Sequence, residues 1–281
     1  MKRTLCTSLA FLLLASACGK PKTDSANPDD GTAATDGTHG SGDPPAEPPP
    51  PQDPDPPELA KGIHQVLTGH YEDAIATLDP IYTGMREPTQ YHASGLAGGW
   101  LAVAHSQIVF ENAEAPANHA LEMAGKLQDP EVDAVAKLGR GAYLLAQEDY
   151  AAAKQAFEGA AAAAPSTAPG TYAQILHAEA LIGTAFGSAS NTELEKPEDL
   201  DAARTSYEAA VTAAGKSGAE KDILLGRAKE GLAAVAKYTR DNEALCSNAL
   251  AAVDHYQAAG ASSFLLDGPA RMASDAECSA K

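Results

Sequence analysis

Apolar side chains from position 58 onward recur at intervals of three and four residues, the spacing that places them on one face of an α-helix. Runs that alternate apolar and polar residues, which would indicate β-strands, are essentially absent from the same region. Two runs at helical spacing are Leu59, Ile63, Val66, Leu67 and Leu138, Ala142, Leu145. The pattern therefore predicts an all-α body.

Breaks in this periodicity divide the body, residues 58–260, into about five antiparallel helix pairs. Asp129 precedes Pro130 and Glu131, which is the order expected at a helix start: a side-chain cap, a proline in the first turn and an acid beside the helix dipole. Asp241 is placed to begin the last helix in the same way, and residues 261–281 are predicted to form a C-terminal tail or cap. The predicted pairs span 58–86, 89–127, 131–164, 170–215 and 217–260.

The region before the helical body has a different composition. Residues 19–57 contain 11 of the 19 prolines, eight carboxylates and no aromatic residue. Such a segment cannot bury enough apolar surface to offset its conformational entropy. We therefore expect residues 18–57 to form a disordered, Pro-, Asp- and Gly-rich linker, stiffest in its proline-rich second half.

The first 18 residues resemble the export signal of a bacterial lipoprotein. Lys2 and Arg3 precede a short apolar run, and Leu14-Ala15-Ser16-Ala17-Cys18 is similar to a lipobox. The resemblance implies that residues 1–17 are a signal peptide and that Cys18 carries the lipid. Gly19 after the cysteine implies the outer membrane, with the body facing the periplasm. The alternative is an ordinary signal peptide cut after Ala17.

The helical body itself resembles the tetratricopeptide repeat. Gly62 and Gly141 are each followed after nine residues by a tyrosine and then by small or apolar residues at steps of three and four. A third copy lacks the glycine. The resemblance implies an irregular α-solenoid, and a generic Ala-rich helical bundle is the alternative. The residues assigned to repeat packing are Gly62, Tyr71, Ala74, Gly141, Tyr150, Ala153, Phe157, Ala160, Ala203 and Tyr207.

The repeat resemblance also implies where a partner would bind. The first helices of stacked pairs line a concave surface that suits peptides or partner helices. Candidate partner-binding residues are therefore Val135, Leu138, Ala142 and Leu145, which could equally be core residues. This favours a scaffold that binds an envelope protein or peptide. The alternatives are a periplasmic carrier of a small apolar ligand and an enzyme whose site forms only in the fold.

Charge and cysteine usage narrow the possible functions. The formal net charge is −18, and loss of Lys2 and Arg3 with a signal peptide would make it −20. An acidic chain without a basic stripe is not expected to bind nucleic acid. Cys246 and Cys278 are the two cysteines that remain after the signal peptide and the lipidated cysteine are set aside. In an oxidising compartment they are predicted to form a disulfide, with two free thiols as the alternative.

The sequence contains no recognisable catalytic or cofactor motif. The histidines lack the i, i+4 spacing that would place two metal ligands on one helix face, and no cysteine stands at zinc-site spacing from them. We therefore expect no metal, no cofactor and no enzymatic activity.

Overall fold

The computed structural model describes residues 48–188, 191 and 193–278, and this part of the chain is all-helical. Its described residues form eleven α-helices and three short 3-10 turns, with no strand among them. The predicted signal peptide, Cys18 and the linker up to residue 47 lie outside the described residues. The helices are α1 Pro57–Leu67, α2 Tyr71–Gly84, α3 Tyr91–Ile108, α4 Glu114–Leu127, α5 Pro130–Ala146, α6 Tyr150–Ala163, α7 Ala168–Phe186, α8 Pro197–Ala214, α9 Lys221–Thr239, α10 Asn242–Ala258 and α11 Ser263–Asp275.

Capping side chains fix the two helix starts that the sequence predicts most clearly. The Asp129 carboxylate accepts hydrogen bonds from the backbone N–H groups of Glu131 at 2.8 Å and Val132 at 3.1 Å. Asp241 accepts one from the N–H of Ala244 at 3.0 Å. These bonds satisfy backbone donors that have no partner within the helix, so α5 and α10 begin as predicted.

Each helix packs on the next one along the chain, and the odd-numbered helices α1, α3, α5, α7 and α9 also contact one another in that order. Glycine allows the closest of these approaches. A Cβ on Gly99 of α3 would lie 2.5 Å from the carbonyl oxygen of Val135 on α5, and one on Gly139 would lie 2.6 Å from that of Gly99. The backbones of α3 and α5 are therefore in direct contact.

The same glycine contact occurs inside the first and third helix pairs. A Cβ on Gly62 would lie 2.5 Å from the Leu78 side chain, and one on Gly141 would lie 2.5 Å from the Phe157 ring. Of the residues assigned to repeat packing, Tyr150 is half-buried and the others are buried. The buried ones are Gly62, Tyr71, Ala74, Gly141, Ala153, Phe157, Ala160, Ala203 and Tyr207.

The last residues of the predicted linker are not disordered, which corrects the expected boundary. The N–H of Asp53 donates to the Thr89 carbonyl at 2.6 Å, and the Gln52 side chain accepts from the N–H of His92 at 3.0 Å. An extended proline-rich backbone has no internal hydrogen bonds, so its polar groups are free to pair with a neighbouring surface. The ordered domain therefore begins before α1.

The predicted C-terminal tail contains a helix, α11, that packs on α9 and α10. Cys278, which follows it, is joined to Cys246 of α10 by a disulfide with an S–S distance of 2.01 Å and a Cα–Cα distance of 5.4 Å. The bond connects residues 32 positions apart in the sequence. Cys278 is thus covalently held to α10.

Candidate functional site

The turn between α1 and α2 is buried against the opposite end of the chain. Leu67 is 0% exposed and Thr68 only 1%. The N–H of Ser262 donates to the Thr68 carbonyl at 2.9 Å, and the Ser262 hydroxyl donates to the Gly69 carbonyl at 2.9 Å. The first helix pair therefore contacts the segment that begins α11, so the two ends of the helical domain close on each other at this turn.

Arg227 of α9 is the polar centre of this closure. Its Nε and Nη2 atoms donate to the Leu67 carbonyl at 3.1 and 3.0 Å, and Nη2 also donates to the Tyr71 hydroxyl at 3.0 Å. Leu67 is the last residue of α1, so the guanidinium lies at the negative end of that helix dipole. A buried arginine with these partners ties α9 to the α1–α2 turn across 160 residues.

Two stacked aromatic rings form the floor beneath Arg227. The guanidinium carbon lies 4.9 Å from the centroid of the Tyr172 ring, and that ring stacks on Trp100 at 6.0 Å. Among the described residues, the buried Tyr172 hydroxyl has no hydrogen-bond partner. Burial raises the pKa of Tyr172, so the hydroxyl stays protonated at neutral pH.

Two carboxylates complete the cluster. Glu179 of α7 keeps solvent-exposed surface, yet the surrounding protein raises the pKa of its carboxyl to about 7, mainly by desolvation. Desolvation also raises the pKa of Glu230 on α9, although the Tyr256 hydroxyl donates to its carboxylate at 2.6 Å. Glu179 can therefore change its charge near neutral pH.

The hydrogen bonds of this cluster hold elements of the fold together. The groups that Arg227 binds are backbone carbonyls and a tyrosine, and the described hydrogen bonds connect neither acid to a serine, cysteine or histidine. Within residues 48–188, 191 and 193–278, no three His, Cys, Asp or Glu side chains are placed to bind one metal ion. The described helices also include none with the length and apolarity needed to cross a bilayer.

Three of the four predicted partner-binding residues are buried in this fold, as the alternative of a core role expected. Val135 is 1% exposed, Leu138 0% and Ala142 3%, and only Leu145 is half-buried. They are covered because α5 packs against α3, α4, α6 and α7, which leaves these three side chains no face to offer a partner.

Of the seven large apolar side chains exposed among the described residues, Leu121 lies within α4 and Phe264 at the start of α11, and the other five lie at or after the ends of odd-numbered helices. Ile108, Val109 and Phe110 follow one another at the end of α3 and are 40%, 45% and 38% exposed. Tyr238 near the end of α9 and Leu194 between α7 and α8 are exposed to a similar degree. We call these five residues, which come from three separate segments of the chain, the apolar edge.

The sequence contained signals for both Arg227 and the apolar edge. Arg227 follows Ile223 and Leu224 by four and three residues, which puts a charged residue on the apolar face of α9. The run Ile108-Val109-Phe110 places three apolar residues in succession, which an amphipathic helix does not do. Both Arg227 and the run 108–110 could therefore have been identified in the sequence, because each departs from the helical pattern of apolar and polar residues.

Two open clefts of about 350 Å³ each lie away from the Arg227 cluster. One is bounded by α1 and α2, the other by α9, α10 and α11. Neither is lined by the predicted partner-binding residues.

Comparison with protein families, curated proteins and solved structures finds no match to this chain.

Proposed function

We propose that this chain is a lipid-anchored scaffold of the bacterial cell envelope that binds another protein through a tetratricopeptide-like, irregular α-solenoid. Support for the repeats comes from the glycine contacts of Gly62 and Gly141, which recur with their partners 16 residues later in the sequence. Support for the anchor comes from the lipobox-like segment ending at Cys18. In this proposal the anchor holds the domain at the outer membrane, facing the periplasm.

The proposal that this protein binds a partner rests on the apolar edge. Exposed large apolar residues that follow one another along the chain are unfavourable in water unless a partner covers them. Glu111 follows Phe110 and Glu193 precedes Leu194, whereas Lys237 precedes Tyr238. The partner we propose is therefore an envelope protein that has an apolar contact surface and basic residues facing Glu111 and Glu193, since these two acids disfavour an anionic lipid surface.

Photo-crosslinking in intact cells tests the edge. A photoreactive residue at Val109 should give a discrete crosslinked protein band, and a second at Tyr238 should give the same band. Lys216, which is exposed in the connection between α8 and α9, serves as the control and should give none. The proposal fails if Lys216 gives the same band, or if Val109 and Tyr238 give only uncrosslinked protein.

Membrane fractionation tests the anchor separately. Cys18→Ala should remove the protein from the membrane fraction, because the thiol is the proposed attachment point of the acyl chains. Cys6→Ala is the matched control, since Cys6 lies inside the proposed signal peptide and should leave fractionation unchanged. Recovery of Cys18→Ala in membranes at the wild-type yield would refute the anchor and leave the binding role to be judged on the crosslinks.

A further inference from the structure

The two halves of helix α11 are held by different means. At its start, the Ser262 backbone and side chain donate to the carbonyls of Thr68 and Gly69, and the Phe264 ring lies edge-on to Tyr71 at 5.5 Å. Leu265 is buried beside Gly69. The first half of α11 is therefore fixed by hydrogen bonds and aromatic packing to the α1–α2 turn.

The second half of α11 packs on alanines of α9 and α10 and on Leu245 and Leu250 of α10. Ala273 is buried there, with Met272, Ala276 and Cys278 partly buried, against a surface of α9 and α10 formed by Ala233, Ala236, Leu245 and Ala249. Alanine methyl groups contribute little apolar area each. Among the described residues, no hydrogen bond joins residues 270–278 to another helix. Noncovalent attachment in this half therefore consists of apolar packing without hydrogen bonds.

An open cleft also separates the end of α11 from part of α9 and α10. It has a volume of about 350 Å³ and lies directly under the end of α11. Its lining residues are Lys237, Asn242, Leu245, Met272, Asp275, Ala276 and Glu277. Side chains bordering such a gap lack packing partners on one side, so they add little attraction between α11 and the helices below it.

A proline divides the two halves. Pro269 lies inside α11 and has no N–H to donate to the carbonyl of Leu265, four residues earlier, so the helix lacks one backbone hydrogen bond at this point. Beyond Pro269 the Cys246–Cys278 disulfide is the one covalent tie to α10. Neither cysteine is fully buried, which is a requirement for attack on the disulfide by a small thiol.

We propose that the Cys246–Cys278 disulfide is a redox-sensitive clasp that keeps the second half of α11 on α9 and α10. A dithiol reductant opens it by exchange: one thiolate attacks a cystine sulfur and forms a mixed disulfide, and the second thiol then displaces the protein thiol. The products are two cysteine thiols and the oxidised, cyclic dithiol. Residues beyond Pro269 then detach and uncover the surface formed by Ala233, Ala236, Leu245 and Ala249.

Hydrogen–deuterium exchange on the purified chain tests this clasp, with dithiothreitol as the dithiol. Reduction should speed exchange of amides in residues 270–278 by about tenfold or more, because local opening sets their exchange rate. Residues 262–266 and the α1–α2 turn should keep their protection. A Cys246→Ser, Cys278→Ser double variant should match the reduced protein without any reductant.

A variant that fills the cleft tests whether added packing can replace the disulfide. Ala276→Leu adds apolar volume at a half-buried position that lines the cleft, so it should restore protection of residues 270–278 in the reduced protein. Equal protection in the oxidised and reduced wild type would overturn the clasp. Loss of protection across the whole of α11 and the α1–α2 turn on reduction would also overturn it, because the two halves would then act as one unit.

Discussion

Single buried side chains set the stability of this domain at the points where helices cross. Phe157 is 0% exposed and its ring occupies the space that the missing side chain of Gly141 leaves. Phe157→Ala should therefore lower the free energy of unfolding by about 3–5 kcal/mol, through lost burial and the cavity left behind. Gln155→Ala, on the exposed side of the same helix, is the control for urea denaturation. Equal midpoints for the two variants would contradict the assigned packing.

Arg227 provides a second test at the residue scale. Arg227→Met keeps the aliphatic part of the side chain but leaves the Leu67 carbonyl and the Tyr71 hydroxyl without their donor. Because these groups are buried, the free energy of unfolding should fall by about 3 kcal/mol. Lys221→Met, at an exposed position of the same helix, should change it by less than about 0.5 kcal/mol. A wild-type urea midpoint for Arg227→Met would show that the closure does not depend on the guanidinium.

The raised pKa of Glu179 leads to a prediction of how the free energy of unfolding depends on pH. Its folded-state pKa of about 7 lies above the ordinary value of 4.5, so the folded protein binds the proton more tightly than the unfolded chain. The stability that this carboxyl contributes is present below pH 4.5 and is lost as the pH rises through 7. Relative to wild type, Glu179→Gln should gain stability as the pH rises from 5 to 8. Thermal unfolding across that range checks this, with exposed Glu208→Gln as a control that should follow the wild-type profile.

At the scale of elements, the spacing of apolar residues predicted the helices. It did not predict that a non-helical segment before α1 packs against them. The predicted starts at Asp129 and Asp241 are confirmed because capping is a local property of a few neighbouring residues. The attachment of residues 52–55 was missed because its partners, residues 88–92, are nearly 40 positions away in the sequence. The same limit applies to Arg227, whose partners lie 160 positions away.

The attachment of the linker end predicts where proteolysis stops. A protease of broad specificity should leave a wild-type fragment that begins before Gln52 rather than at α1. Gln52→Ala removes the bonds to the Pro88 carbonyl and the His92 N–H, so cleavage should then advance toward Pro57. Pro51→Ala, at an exposed position, should keep the wild-type fragment. Intact mass gives the boundary, and a wild-type fragment that already begins at α1 would contradict the hydrogen bonds described.

At the scale of the whole molecule, the two ends of the domain should respond to each other. Gly69 has a φ of +78°, and an added Cβ would lie 2.7 Å from Leu265 and 2.8 Å from the Ser262 hydroxyl. Gly69→Ala should therefore cost roughly 1–2 kcal/mol from the left-handed backbone alone, and it should speed hydrogen exchange in residues 262–266. Gly84→Ala, where a Cβ meets nothing within 4 Å, is the control. Unchanged exchange at 262–266 in Gly69→Ala would mean that the ends are independent.

Closure by the α1–α2 turn also limits how this protein can change over evolutionary time. An open array of repeats can lengthen or shorten by duplication or deletion of a unit, because each unit contacts only its neighbours. Here an extra helix pair, inserted anywhere between α2 and α9, would carry Leu67 and Thr68 away from Arg227 and Ser262. Related chains that keep this closure should therefore share its number of helix pairs and differ mainly by substitution and by the length of their surface connections.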